Sequence, residues 1–149
     1  MSDELANQLQ LLVKRFPPIP YRLTDTDGGP EAVVEAYRNN QPIPVYTGDS
    51  DNTIWGSPEM NWLVRAHHDS IHLLYNVPFT KLGEYTAAEI SSALAELMGL
   101  KELARTIRVD IAGFSAHEAD TNEFAEQTLA KDLLSLIDNV VACELDRTA

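Results

Sequence analysis

The sequence predicts a mainly α protein: a single domain over residues 1–149, built as a bundle of four to five helices. An irregular N-terminal part with short helices, residues 1–56, precedes a helical core, residues 57–149. Three observations carry this. Apolar residues recur at helical spacing in the first fifteen residues and through most of the chain after Gly56. Prolines at 17, 18, 20, 30, 42 and 44 break up the stretch between. Helix-start signals then stand at Ser57-Pro58-Glu59 and at Thr86-x-x-Glu89.

Leu5, Leu9, Leu12 and Val13 define a first helix over residues 3–15, with Ser2 or Asp3 as its cap. Phe16-Pro17-Pro18-Ile19-Pro20 ends it and forces an extended linker. Residues 25–30 read as a turn, and Pro30 suits the first position of a short helix through Tyr37. Pro44-Val45-Tyr46 reads as a short edge strand, and residues 48–56 as a polar loop. Ser57 as cap, Pro58 at the first helical position and Glu59 in the first turn open a helix to about Tyr75, stopped by Pro78. A connector over 79–84 leads to a helix opened by the Thr86/Glu89 capping box, with Gly99 as an interruption. Leu100, Leu103, Ala104, Ile107 and Ile111 continue helical spacing to about Gly113. A last helix is expected over 119–145, with Leu129, Leu133, Leu136, Ile137, Val140 and Val141 inward.

Composition narrows the function classes. The 149 residues suffice to bury a core, and 44% hydrophobic content is ordinary for a globular chain. A net charge of −12 argues against nucleic-acid binding, which needs a basic patch, and against adsorption to anionic membranes. Cys143 is the single cysteine, so no intramolecular disulfide or multi-cysteine zinc site can form. The acidic, polar opening MSDELANQ carries no long apolar run; a cytoplasmic location is expected.

Three of the four histidines, His67, His68 and His72, fall in Asn61–Glu84. On a helix Asn61, Arg65, His68 and His72 stand at i, i+4, i+7 and i+11, within roughly 60° of one another at about 100° per residue. Apolar residues flank this polar stripe on both sides: Met60, Val64, Ile71 and Leu74 on one, Trp62, Ala66 and Leu73 on the other. Such a stripe resembles the lining of a pocket more than a solvated face. His68 and His72, one turn apart, can converge on one ion. His67 points about 100° away and reads as a core or rim histidine. Two histidines need a carboxylate to complete a site, and Glu84 is the first choice, ahead of Asp110, Glu118 and Glu123. Two histidines and one carboxylate with open positions suit a divalent metal ion: zinc, iron or manganese. The expected roles are metal ligation by His68, His72 and Glu84, orientation or base action by Asp69, and substrate contact by Arg65 and Asn61. His117-Glu118 reads as helix capping or as part of a second ligand set. Asp49-Ser50-Asp51-Asn52 and Asp25-Thr26-Asp27-Gly28-Gly29 read as turns. No Gly-rich phosphate loop and no Gly-x-Ser-x-Gly elbow is present.

The pattern Asn61-x-x-x-Arg65-Ala66-x-His68-Asp69-x-x-His72, followed by Phe79-Thr80-x-x-Gly83-Glu84, resembles a loose group of uncharacterised proteins from tailed phages and marine viruses. It covers about a fifth of the chain. The resemblance implies that these residues belong together, and brings no activity with it. His68-Asp69 is also similar to the pair in HD-type phosphohydrolases, but those enzymes need an earlier histidine, where none precedes His67, and a later aspartate, for which Asp110 is a candidate.

Two functions follow as expectations. One is a small metal-dependent hydrolase acting on a small polar or anionic substrate. The other is a non-catalytic phage accessory or interaction protein, in which the same residues form a buried structural network. An apolar face on the last helix would serve a homodimer as readily as a core.

Overall fold

The computed structural model describes residues 3–116, together with Asn139 and Ala142; side chains are described to residue 111 and at those two positions. Among these residues the protein is mainly helical, as the sequence predicts. Five helices and two strands follow in the order α1 (Asp3–Arg15), β1 (Tyr21–Thr24), α2 (Gly29–Arg38), β2 (Ile43–Tyr46), α3 (Pro58–Leu74), α4 (Lys81–Leu97) and α5 (Lys101–Ala116). The helix expected over 119–145 lies outside the described residues, apart from Asn139 and Ala142, which are helical and exposed. His117, Glu118, Glu123 and Cys143 also fall outside them.

The chain divides into two compact units, Met1–Asn76 and Val77–Ala149. The first holds α1 to α3 and the sheet. Helix α1 buries Leu5, Leu9 and Leu12, the stripe read from the sequence. After the proline linker, β1 and β2 pair in parallel with Tyr21 opposite Ile43 and Thr24 opposite Tyr46, and α2 connects them. The 43–46 strand was expected; β1 was not. Pro30 lies in the first turn of α2. That helix ends with Asn40 at φ 55°, where the Gln41 N–H donates to the Ala36 carbonyl at 2.9 Å. Ile43 and Val45 of β2 are fully buried, whereas Tyr21, Arg22 and Leu23 of β1 are exposed.

Helix α3 begins as the sequence predicts. Ser57 is extended, and its hydroxyl accepts from the Met60 N–H at 3.3 Å, with Pro58 in the first turn. It ends at Tyr75, followed by Asn76 at φ 55° and Pro78.

In the second unit α4 packs on α5. Its start corrects the expectation. Thr80, not Thr86, is the cap: its hydroxyl accepts from the Gly83 N–H at 3.0 Å. Thr86 lies buried inside the helix and donates to the Leu82 carbonyl at 2.8 Å. Glu89 is not a capping partner either; it pairs with Arg108 of α5 at 3.1 Å. Both threonines can cap, but once a first turn exists each further residue adds a hydrogen bond, so the earlier cap prevails. Gly83, a poor helix former, hides that start in the sequence. At the other end Gly99 takes φ +76°, and Leu100 N–H donates to Ala95 O and Gly99 N–H to Glu96 O, both at 2.9 Å. This is a Schellman ending, and it turns the chain into α5.

Candidate metal centre

Helix α3 is tied to the rest of its unit along two sides. On one side it holds the linker after α1. Ser70 Oγ accepts from the Ile19 N–H at 2.9 Å and donates to the Ala66 carbonyl at 2.7 Å. His67, 5% exposed, hydrogen-bonds the Phe16 backbone. Burial, with a smaller contribution from His68, lowers the His67 pKa to about 4, so it is neutral at pH 7. This is the core histidine that the sequence predicts.

On the other side α3 holds the loop leaving β2. Arg65 Nη1 donates to the carbonyls of Tyr46 at 2.6 Å and Gly48 at 2.7 Å, and Nη2 to that of Asp49 at 3.2 Å. Its guanidinium also lies over the Tyr46 ring, 6.0 Å from the centroid. Asn61, buried, turns its amide oxygen to accept from Arg65 Nε at 3.2 Å and Nη2 at 3.3 Å, and meets Ser50 Oγ at 3.0 Å. Trp62 Nε1 donates to the Thr47 carbonyl at 3.2 Å and Ser50 Oγ at 3.1 Å. Gly48 lies close under Tyr46: a Cβ would fall 2.2 Å from the tip of the Tyr46 ring, which would have to shift. Sequence reasoning did not find the Trp62–Ser50 contact. Its one signal is the indole N–H on a helix face that is half inward, which needs an acceptor.

One turn further along the same stripe, His72 is 1% exposed and His68 half-buried. Their rings meet edge to face at 77°, and the two Nε2 atoms are 3.2 Å apart. That separation allows one ring to donate a hydrogen bond to the other. It also fits a shared ion: with each nitrogen 2.0–2.1 Å from a zinc, it subtends about 103°, close to the tetrahedral angle. Coordination requires both Nε2 lone pairs, so each ring would carry its proton on Nδ1. Asp69 is half-buried next to His68.

Glu84, the carboxylate favoured from sequence, is half-buried in the first turn of α4. Thr80 starts that turn, and the Glu84 N–H donates to the Thr80 carbonyl at 2.8 Å. Gly83 permits it, because a Cβ there would stand 1.7 Å from the Pro78 carbonyl oxygen. The Gly-Glu pair is thus a backbone requirement followed by a possible ligand. His68 and His72 each offer one ring nitrogen to a metal ion, and Glu84, in the second unit, offers a carboxylate oxygen. Asp110, the alternative carboxylate on α5, is exposed.

No protein-family model, curated protein or solved structure matches this chain. Among the described residues no helix is long and apolar enough to cross a membrane.

Proposed function

We propose that this protein binds one divalent metal ion, zinc, iron or manganese, through His68, His72 and Glu84. The observation that carries this reading is the 3.2 Å separation of the two Nε2 atoms. With His68, His72 and Glu84 as ligands, a bound divalent ion would supply Lewis-acid activation of water. The chemistry that follows is hydrolysis of a small polar or anionic substrate. Asp69, beside His68, is the candidate to orient an imidazole or to accept a proton. Arg65 and Asn61 are engaged with the 46–50 loop and hold it against α3.

The second reading is a non-catalytic accessory or interaction protein, with the histidine pair closed by its own hydrogen bond. The edge-to-face ring contact favours it, since the same 3.2 Å serves an N–H···N bond. Metal content separates the two. Protein purified without chelator or added metal, then analysed by plasma mass spectrometry, should carry about one equivalent. His68→Ala and Glu84→Gln should each lose it while retaining helical circular dichroism. If wild-type protein binds no metal even after add-back of zinc, iron or manganese, the metal reading is wrong and the structural network stands.

A further inference from the structure

The crossover from β1 through α2 to β2 leaves a cavity of about 460 Å³, wholly within the first unit. Ala32, Glu35, Ala36 and Asn39 line it. At i, i+3, i+4 and i+7 they form one stripe running along α2 to its C-cap. The strands contribute Arg22 and Pro44, which are paired in the sheet and so share a face. The space has a cause in the sequence. Alanine at 32 and 36 is too short to fill it, and the Pro44 ring gives it a rigid wall. The polar groups there are not used by the fold. Arg22 and Glu35 are exposed, and neither side chain makes an ion pair or a hydrogen bond among the described residues. They line one cavity without pairing with each other, whereas Arg65 and Arg108 are both engaged. The side-chain amides of Asn39 and Gln41, which also line the cavity, likewise make no hydrogen bond among the described residues.

We propose that this cavity binds a dipeptide, with the ligand carboxylate on Arg22, its ammonium on Glu35 and its central amide against Asn39 and Gln41. The charges select the class. Glu35 repels a simple anion from Arg22, and Arg22 repels a simple cation from Glu35, so a molecule carrying both charges satisfies both groups. A guanidinium holds a carboxylate through two parallel hydrogen bonds, which fixes one end of the ligand. Asn39 and Gln41 each offer a donor and an acceptor, the complement of a peptide group. Length separates a dipeptide from a free amino acid. Two residues at roughly 3.3–3.6 Å each carry the charged ends apart, as two unpaired protein groups require, whereas an amino acid bears both charges on one carbon. The volume falls within the range of small-molecule pockets, about 300–1,000 Å³. The alanine and proline walls favour short ligand side chains. This site does not depend on the metal reading.

Titration of the nitrogen-15-labelled full chain with alanyl-alanine, followed by amide NMR spectra, tests this. A ligand of this size binds in about the millimolar range, so the titration runs to about 20 mM. Signals of Arg22, Glu35, Asn39 and Gln41 should move together and saturate. Arg22→Gln and Glu35→Gln should each weaken binding at least about tenfold, since each removes one charge-assisted contact. Ala36→Leu, which fills the cavity and leaves both charges, should abolish it. The spectrum of each variant reports at the same time that the fold is kept. Free alanine, and alanyl-alanine blocked at both ends, should bind at least about tenfold more weakly than the dipeptide. Shifts that stay linear to the end of the titration overturn the proposal. So does binding that the charge variants or Ala36→Leu leave unchanged, or binding of free alanine or the blocked compound as tight as that of the dipeptide.

Discussion

The two halves of the polar stripe on α3 contrast in what their side chains meet. In the first half, Asn61 and Arg65 are engaged with the loop that leaves β2, and three of the Arg65 contacts are to backbone carbonyls. In the second half, His68 and His72 point at each other, with their nitrogens at a distance suited to an ion. A single helical period produces both halves, so it cannot tell a lashing from a ligand pair. What differs is the partner: a guanidinium with fixed donors suits several carbonyls at once, whereas two imidazoles one turn apart offer lone pairs to one point.

The sharpest way to separate the halves is to break the first and watch the second. Arg65→Met keeps much of the apolar stem and removes the donors to Tyr46, Gly48 and Asp49. Hydrogen bonds from charged groups each contribute about 1.5–3 kcal/mol, and they share one geometry here, so the loss should be about 3 kcal/mol in chemical denaturation. Metal stoichiometry should stay at the wild-type value under native conditions. If Arg65→Met instead lost the metal while unfolding at the wild-type denaturant concentration, Arg65 would belong to the ligand half.

The legible parts of this molecule are those with local causes. Ser57-Pro58-Glu59 specified the start of α3, Pro78 limited its length, and Gly99 marked the end of α4, because caps act through the nearest backbone groups. The alignment of Asn61, Arg65, His68 and His72 was also legible, since it needs only the helical period. The partners of Arg65 were not. Backbone carbonyls carry no residue identity, and the 46–49 loop reaches them through tertiary folding. β1 was hidden for a related reason. Four residues between Pro20 and Asp25 are too few to show an alternating pattern, and the strand exists only through pairing with β2. Thr86 misled because its Glu89 completes a capping pattern, whereas Thr80 precedes a glycine whose purpose is visible only beside the Pro78 carbonyl.

That glycine extends the comparison to α4, where one residue serves the backbone and the next is the proposed ligand. Gly83→Ala forces a methyl group onto a carbonyl oxygen that the present backbone holds 1.7 Å away, so the 78–83 turn must open. Overpacking of this kind costs roughly 2 to 3 kcal/mol, readable as a lower urea midpoint. Zinc affinity should fall as well, because Glu84 follows directly. Wild-type stability in Gly83→Ala would show that the turn relaxes without cost and that the glycine is dispensable.

The smallest effect concerns His67, the histidine that the stripe excludes. Its pKa is lowered from 6.5 to about 4 in the folded protein, first by burial and then by His68. The unfolded chain therefore takes up a proton as the pH falls through 6.5, whereas the folded chain does so only near pH 4. The unfolded state binds more protons over that window, so stability is complete above pH 6.5 and declines as pH drops. At pH 5 this site alone should have removed about 2 kcal/mol relative to pH 7.5. His67→Gln retains an N–H for the Phe16 backbone but cannot titrate, so its stability should fall by about 2 kcal/mol less over the same interval. Urea unfolding of metal-free wild type and variant at both pH values reads that difference. Equal losses in the two proteins would mean that acid sensitivity resides elsewhere, and that His67 titrates as an ordinary exposed histidine would.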